Sequence, residues 1–564
     1  MFDLFLWLDG SAARYWTVAW TVFGLWVAAS VLPRSPARWG QRWNSPAIYA
    51  GLTLLMLVAF RWPGIGRNVQ LDNPDESQLI AGALTVLHHG HYWGVVDCAT
   101  AGPLDLIPLL LPRLLGLPLD YTTARCMGLL LLWGACVFAW LTLRRAAGND
   151  QSARILVMPM ASCIAFTHCP DFVQYTTEQA PIFYCALALW LALGAFSATG
   201  EPVGRIRLAL AGGLLGVLPF SKLQAAPFAL CVGIWMLWWI VRASTLTWRA
   251  RLLAAGWVVG GGLGTLALMG LAIARGAGAA EFHHAFWQAN LNYAEARAYP
   301  WAEAGPHLLS LVRLVWGFDS YFFPAGFLIL LGLAGWPWLP PEARRRALFG
   351  AGFFLTGIFV VLAPGREFQH YLQFVILPTS LFIGLLFAGW VDGSRRPWAR
   401  PAWLVLILLV GVGPQVYYRT HDDNPYHGGL PDTKIRAVGA VARHIRHLAQ
   451  PGDTMVVWGW MPTFHVQTQL PQGTQDAHAE RQISPNQLQA YFRARYFAAL
   501  EKNRPAIFVD AVGEENFGYH NREANGHESL PWLEEFVRRN YVLSADLETT
   551  RVYLRKDRAA ALSP

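Results

Sequence analysis

A few ionisable side chains stand in apolar surroundings where charge is costly, and their types divide into carboxylates and cations. The segment LDNPDESQLIAGALTVLHHGHYW places Asp75 and Glu76 side by side, directly after Pro74, where a helix is expected to begin. Glu178 follows QYTT, Lys222 is the only lysine before position 434, and Arg366 and His370 share the segment GREFQHYLQF. A carboxylate can take the proton of an attacking hydroxyl, and cations can hold a departing phosphate. Arginine grips phosphate bidentately and lysine supplies a point charge. Base plus cations is therefore the inventory that sugar transfer from a phosphate-linked donor requires, because a phosphate that leaves already ionised needs no strong acid. Each residue also has an ordinary alternative. Acids at a helix start complement its dipole, and single charges at a span's end anchor or snorkel.

The elements that must position these groups are membrane helices. Of 564 residues 54% are hydrophobic and only 14% charged, which suits a bilayer rather than water. Apolar runs of about the length a bilayer needs fall near 14 to 32, 46 to 60, 122 to 143, 155 to 168, 178 to 196, 208 to 221, 225 to 241, 252 to 272, 318 to 338, 347 to 364, 371 to 391 and 402 to 418. The expected fold class is thus an α-helical polytopic membrane protein of about twelve transmembrane helices. Arg34, Arg38 and Arg42; Arg144, Arg145 and Arg154; Arg205 and Arg207; Arg242, Arg249 and Arg251; Arg344 to Arg346; and Arg395, Arg396 and Arg400 occupy alternate loops, the cytoplasmic pattern. This parity requires that 103 to 118, with Asp105, Pro108, Pro112 and Arg113, is an interfacial amphipathic helix and not a span.

The opposite, extracytoplasmic loops hold most of the acids and histidines of the membrane half: 61 to 121, 168 to 178, the turn at Lys222, 275 to 316 and 365 to 371. After 418 the charge density rises. Helix-like stretches at 433 to 449, 486 to 502 and 530 to 540 alternate with β-like runs at 454 to 458, 505 to 510 and 551 to 554, which predicts a small soluble α/β domain over 419 to 564 on the same outer side. The catalytic transmembrane domain is then 1 to 418.

The net charge of +8 comes from arginines clustered between apolar runs, so a nucleic-acid partner is not expected. Seven cysteines lie mostly inside apolar runs without zinc spacing, and only Cys98 and Cys169 fall in outer segments where they could pair. Asp3 and Asp9 precede the first apolar run without a cleavage site, so that run is expected to remain.

The order of the motifs resembles a known family. Asp75-Glu76, the following IAGA and Gly90 with Tyr92-Trp93, TAGPL at 100 to 104, and a stretch ending at Arg125 are similar to the first-loop pattern of the GT-C glycosyltransferases, which include the protein O-mannosyltransferases and the lipid A aminoarabinose transferases. TTEQAP, GLLGVLPFSK, the Arg366 to Tyr371 motif and VVWGW continue that order, over roughly residues 46 to 480. The resemblance implies a polyprenyl-phosphate-linked sugar donor, inversion at the anomeric carbon, and a lipid-linked, glycan or protein acceptor. By it Asp75 is the catalytic base or an acceptor-orienting carboxylate, Glu76 supports it, and Glu178 is a second acid facing the sugar. Lys222, Arg366 and Arg125 would bind the donor phosphate, with His370 and Tyr371 beside them. The aminoarabinose transferases carry Lys-Pro-Pro where this chain has Ala101-Gly102-Pro103, so that phosphate contact is missing and Lys222 or Arg366 must replace it.

Other residues carry a functional and an ordinary reading side by side. Asp97, beside TAGPL, is a candidate contact to sugar hydroxyls or a turn residue. His88, His89 and His91 leave a divalent metal open, although no cofactor is required. His283 and His284 could shape an acceptor groove or a surface helix, and WGWMP with Arg481 could cap the site or simply pack. The expected setting is a bacterial inner membrane with the active site outside. The rivals are a glycolipid transporter or flippase, which would carry its charges at mid-span, and a lipid-to-glycan ligase or polymerase, which would lack the acidic first loop.

Overall fold

The computed structural model describes residues 8, 10–32, 45–67, 73–195, 204–243, 246–393, 399–421, 429–430 and 438–562. Asp3, Asp9, Arg34, Arg38, Arg42, Arg395, Arg396 and the start of the 433 to 449 stretch lie outside the described residues. The chain divides into two compact units. One comprises 1–68, 126–267 and 296–434; the other comprises 69–125, 268–295 and 435–564. The first loop and the 268–295 segment thus group with the C-terminal region, a division that no single cut near 418 expresses.

All twelve apolar segments are helical. Among the described residues, seven helices are long and apolar enough to cross a membrane: Pro46–Gly66, Tyr121–Ala146, Leu223–Arg242, Trp248–Gly276, Pro341–Leu362, Gln369–Trp390 and Arg400–Thr420. Gln179–Gly194 and Asp319–Ala334 are apolar but shorter. Asp150–Phe166 shows why one further helix need not be as apolar: every residue from Ser152 to Phe166 is buried within the helical unit, so protein rather than lipid is its solvent. Its Arg154 is paired with Asp150 at 2.7 Å and lies 4.7 Å from the Tyr49 ring. Local rules start these helices. Ser11, Ser45 and Asn149 accept backbone N–H groups of the first turns.

In the second unit, Pro103–Leu114 is a twelve-residue helix, too short to span. It buries Leu106 and Leu109 and exposes Ile107, Leu111 and Leu114, the two-faced pattern expected of an interfacial helix. The C-terminal region forms a four-stranded sheet of order β1-β2-β4-β3, with β1 Met455–Trp458, β2 Ile507–Asp510, β3 Tyr541–Leu547 and β4 Thr550–Arg555. β1 and β2 are parallel, with Val456 opposite Phe508; β4 runs antiparallel to both β2 and β3. Helices Ala440–Leu448, Gln489–Asn503 and Pro531–Asn540 accompany it. Strand β3 is an addition to the three β-like runs of the sequence. It is an edge strand whose residues are largely exposed, so it carries no apolar alternation to read.

Two buried histidines tie this unit's stability to pH. Burial carries His465 down to about 4, with its Nδ1 2.9 Å from the Leu470 carbonyl oxygen. Burial, Arg481 and His465 carry His478 down to about 3. Both stay neutral when folded but would take a proton near 6.5 when unfolded. Their contribution is therefore complete above pH 6.5 and drains away as pH falls from there toward 4 and 3, each histidine losing up to ~1.4 kcal/mol for every tenfold rise in proton concentration. The protection factors of the β1 and β2 amides against hydrogen exchange, taken relative to the intrinsic rate at each pH, should fall steadily between pH 6.5 and 4. His465→Gln should flatten part of that slope; an unchanged slope would contradict the assignment.

Candidate functional site

In the second unit, the Pro74–His89 helix begins as its sequence requires. Pro74 occupies the first turn, the Asn73 side chain accepts from the Asp75 N–H at 2.8 Å, and Gly90 at φ 80° ends the helix in a left-handed turn. The two acids that look alike in sequence diverge here. Glu76 is 1% exposed, and the Arg125 guanidinium donates to both of its oxygens, Nε at 3.1 and 3.2 Å and Nη2 at 2.8 Å. Asp75 is exposed. Being solvent-facing at a helix N-terminus, it is the member of the pair able to meet a substrate, while Glu76 and Arg125 neutralise one another in the interior. Arg125 also lies 5.6 Å from the Tyr121 ring, and the Tyr121 hydroxyl is 2.8 Å from both Ser77 Oγ and Thr463 Oγ1. The turn that presents Asp75 is thereby fastened to the WGWMP segment of the C-terminal domain.

Asp97 lies in a network rather than on an open surface. Its carboxylate meets Arg481 Nη1 at 2.8 Å and Arg495 Nη1 at 2.9 Å, and Arg495 also holds Asp476 at 2.8 Å. Burial pushes the Asp97 carboxyl upward, but Arg481 and Arg495 outweigh it and hold the group below the usual carboxylate range. Backbone pairing accompanies the charges: Asp97 and Asp476 form a parallel bridge, and the Asp97 N–H donates to Gln475 O at 2.7 Å. With both guanidiniums on it, this carboxylate joins the first loop to the C-terminal domain.

In the helical unit, three further site residues come together. Glu178, fully buried, stands at the start of Gln179–Gly194, and Lys222 ends Arg205–Ser221. The Lys222 ammonium is ion-paired with Glu178, donates to Thr177 Oγ1 at 2.5 Å, and lies 4.7 Å from the Tyr371 ring centroid. His370 Nε2 is 4.0 Å from Glu178, while its Nδ1 is 3.2 Å from Asp171. Gln373 donates to Asp171 O and Thr176 Oγ1, both at 3.0 Å. Arg366 is half-buried, following Gly365 in its left-handed turn at φ 60°. Asp171 and Thr177 are additions to the residues singled out by sequence; both lie in the acid-bearing 168 to 178 segment, and only the fold shows them at His370 and Lys222.

His88, His89 and His91 form no convergent donor set: the His88 and His89 rings are perpendicular at 4.8 Å, and His89 and His91 are 6.3 Å apart. Among the described residues, the group with metal-ligand spacing is Asp510, His527 and Glu528. There Arg522 lies 3.4 Å from Asp510 and Arg551 pairs with Glu528, so arginines already balance the carboxylates. Cys98 and Cys169 are both free thiols; the Cys169 Sγ is 2.7 Å from Gln369 Oε1.

No protein-family model matches the sequence, and no curated protein matches it either. Solved structures do. ArnT from Cupriavidus metallidurans bound to undecaprenyl phosphate superposes with a TM-score of 0.55 at 13% identity, over 90% of this chain and 97% of that one. ArnT in the apo state gives 0.52 at 14%, over 90% and 98%. The chain has the GT-C fold. Archaeal oligosaccharyltransferase AglB from Archaeoglobus fulgidus, in complex with an inhibitory peptide and a dolichol-phosphate, is more distant, with a TM-score of 0.46 at 11% identity over 92% and 75%.

Removing one partner of the buried Glu76–Arg125 pair leaves a charge without its counterion, which costs ~3–5 kcal/mol. Arg125→Ala should lower the thermal midpoint of the purified protein in detergent by several degrees, and Glu76→Gln combined with Arg125→Ala should recover part of the loss. A single variant as stable as the parent would show that the pair is not structural.

Proposed function

We propose that the chain is an integral-membrane glycosyltransferase that moves a sugar from a polyprenyl-phosphate donor to a hydroxylated acceptor on the extracytoplasmic side. The observation that carries this reading is the division of labour at residues 75 and 76 on a GT-C fold: one carboxylate exposed on a helix start, its neighbour locked by arginine. In the reaction Asp75 takes the proton of the acceptor hydroxyl and the freed oxygen bonds to the anomeric carbon. The bond from that carbon to the phosphate oxygen breaks, the electron pair leaving with the phosphate. A single displacement of this kind inverts the anomeric configuration.

The donor class rests on the sequence resemblance and on the undecaprenyl phosphate bound by the similar ArnT. Lys222 and Arg366 are the cations assigned to its phosphate. Lys222 is held by Glu178 and Thr177, so its position is fixed before any ligand arrives, and Glu178 with His370 completes a charged cluster beside Tyr371. Arg125, committed to Glu76, acts instead as a positioning residue for the Asp75 turn. Asp97 has the same character through Arg481 and Arg495. The outward orientation rests on the arginine-bearing loops and the alternation of spans.

A transporter is the weaker reading because its ionisable groups would sit at mid-span. Glu178, Lys222 and His370 all stand at helix ends.

Asp75→Asn should lower transfer by about 10²- to 10⁴-fold in purified, reconstituted protein, with the fold intact by thermal unfolding. Near-parental turnover in that variant would remove Asp75 from the chemistry. Lys222→Ala and Arg366→Ala should each raise the KM for a polyprenyl-phosphate sugar more than they lower kcat; unchanged donor affinity in both would overturn the phosphate assignment.

A further inference from the structure

The residues around the end of strand β1 do more than pack. Gly459, at φ 103°, turns the chain after Trp458 in a conformation other residues rarely adopt, and a Cβ there would meet Ala511 backbone atoms at 2.9 Å. The turn leads into Trp460–Thr463, and Thr463 is linked through the Tyr121 hydroxyl to Ser77, two positions beyond Asp75. The Ala479 N–H donates to Gly459 O at 2.9 Å, which sets the following residues alongside the same turn. The His478 ring stacks on Trp460 at 5.6 Å and 26°, and the His478 Nδ1 accepts the Glu480 N–H at 3.3 Å. Phe517 meets Trp460 edge-on at 5.1 Å and is 51% exposed, while Tyr519, 6.4 Å from Trp460, lies 2.6 Å from Ser484 through its hydroxyl.

Two polar groups in this patch stand in conditions that cost free energy. The Trp460 indole N–H is buried without a hydrogen-bond partner among the described residues, an expensive state for a donor. Glu480 is largely buried, and burial raises its pKa. Arg481 and a hydrogen bond with Ser484 oppose that rise, and the negative charge of Asp476 adds to it.

We propose that the face bearing Trp460, Glu480 and Phe517 is the acceptor subsite, and that it takes a saccharide whose hydroxyl is presented to Asp75. The proposal rests on the glycosyl-transfer reading above and names the acceptor class within it. A pyranose offers an apolar C–H face for aromatic rings and hydroxyls for a carboxylate and an N–H donor, the complement of this patch. An acyl chain would leave the Trp460 N–H unpaired. Glu480 accepts a hydrogen bond from an acceptor hydroxyl next to the reacting one, which fixes the nucleophilic oxygen within reach of Asp75.

The test uses the full-length protein reconstituted in lipid, a labelled polyprenyl-phosphate sugar, and an envelope extract from a strain lacking this chain as the acceptor probe. Glu480→Gln, which is near-isosteric, and Trp460→Phe, which keeps an aromatic ring but removes the N–H donor, should each raise the half-saturating extract concentration about tenfold with the donor KM unmoved. Periodate treatment of the extract, which cleaves vicinal diols, should abolish its acceptor activity. Parental extract saturation in both variants, while Asp75→Asn is inactive, would overturn the subsite alone; an active Asp75→Asn would overturn the parent reading. Undiminished acceptance by periodate-treated extract would overturn the saccharide assignment and favour a lipid or peptide acceptor.

Discussion

A charge removed from water must be paired or used, and this condition organises the molecule. Two buried ion pairs illustrate it, one in each unit: Glu76 with Arg125, and Glu178 with Lys222. In neither case is the pair a stray surface contact, since all four side chains are almost wholly buried. Such pairs contribute little net stability compared with apolar packing, but they are costly to break, and so they fix the orientation of whatever is attached. What is attached to the first is the helix start that exposes Asp75; what is attached to the second is the cluster of His370, Asp171 and Tyr371.

The same condition explains why the first loop folds with the C-terminal domain. Asp97 is far in sequence from Asp476, Arg481 and Arg495, and each of the four would be intolerable alone at its depth. Together they bind the loop to the domain, and the hydroxyl chain from Ser77 through Tyr121 to Thr463 adds neutral hydrogen bonds to the same junction. A catalytic group on a loop needs such support if its position is to hold within the fraction of an ångström that chemistry demands. The C-terminal domain thus holds the loop whose helix start bears Asp75.

Much of this is legible in the sequence. The helices, the non-spanning character of 103 to 118, and three of four strands follow from hydrophobic periodicity, because burial against lipid or core selects apolar residues at regular spacing. Edge strand β3 stays hidden because a strand facing water is not under that selection. The candidate residues are recognisable by type, since an ionisable group in apolar sequence is conspicuous. Their partners are not. Nothing near Glu76 in sequence points to Arg125, and nothing near Asp97 points to Arg481 or Arg495.

By itself, then, the sequence determined which segments are helical and which side chains are too costly to be idle, because both are properties of composition and local spacing. Only the tertiary structure showed Asp75 exposed and Glu76 buried against Arg125, and set Asp97 between Arg481 and Arg495. The physical reason is range. Hydrophobic periodicity is written within one turn or one strand, whereas the fate of a charge depends on which counter-charge the folded chain delivers to it from tens to hundreds of residues away.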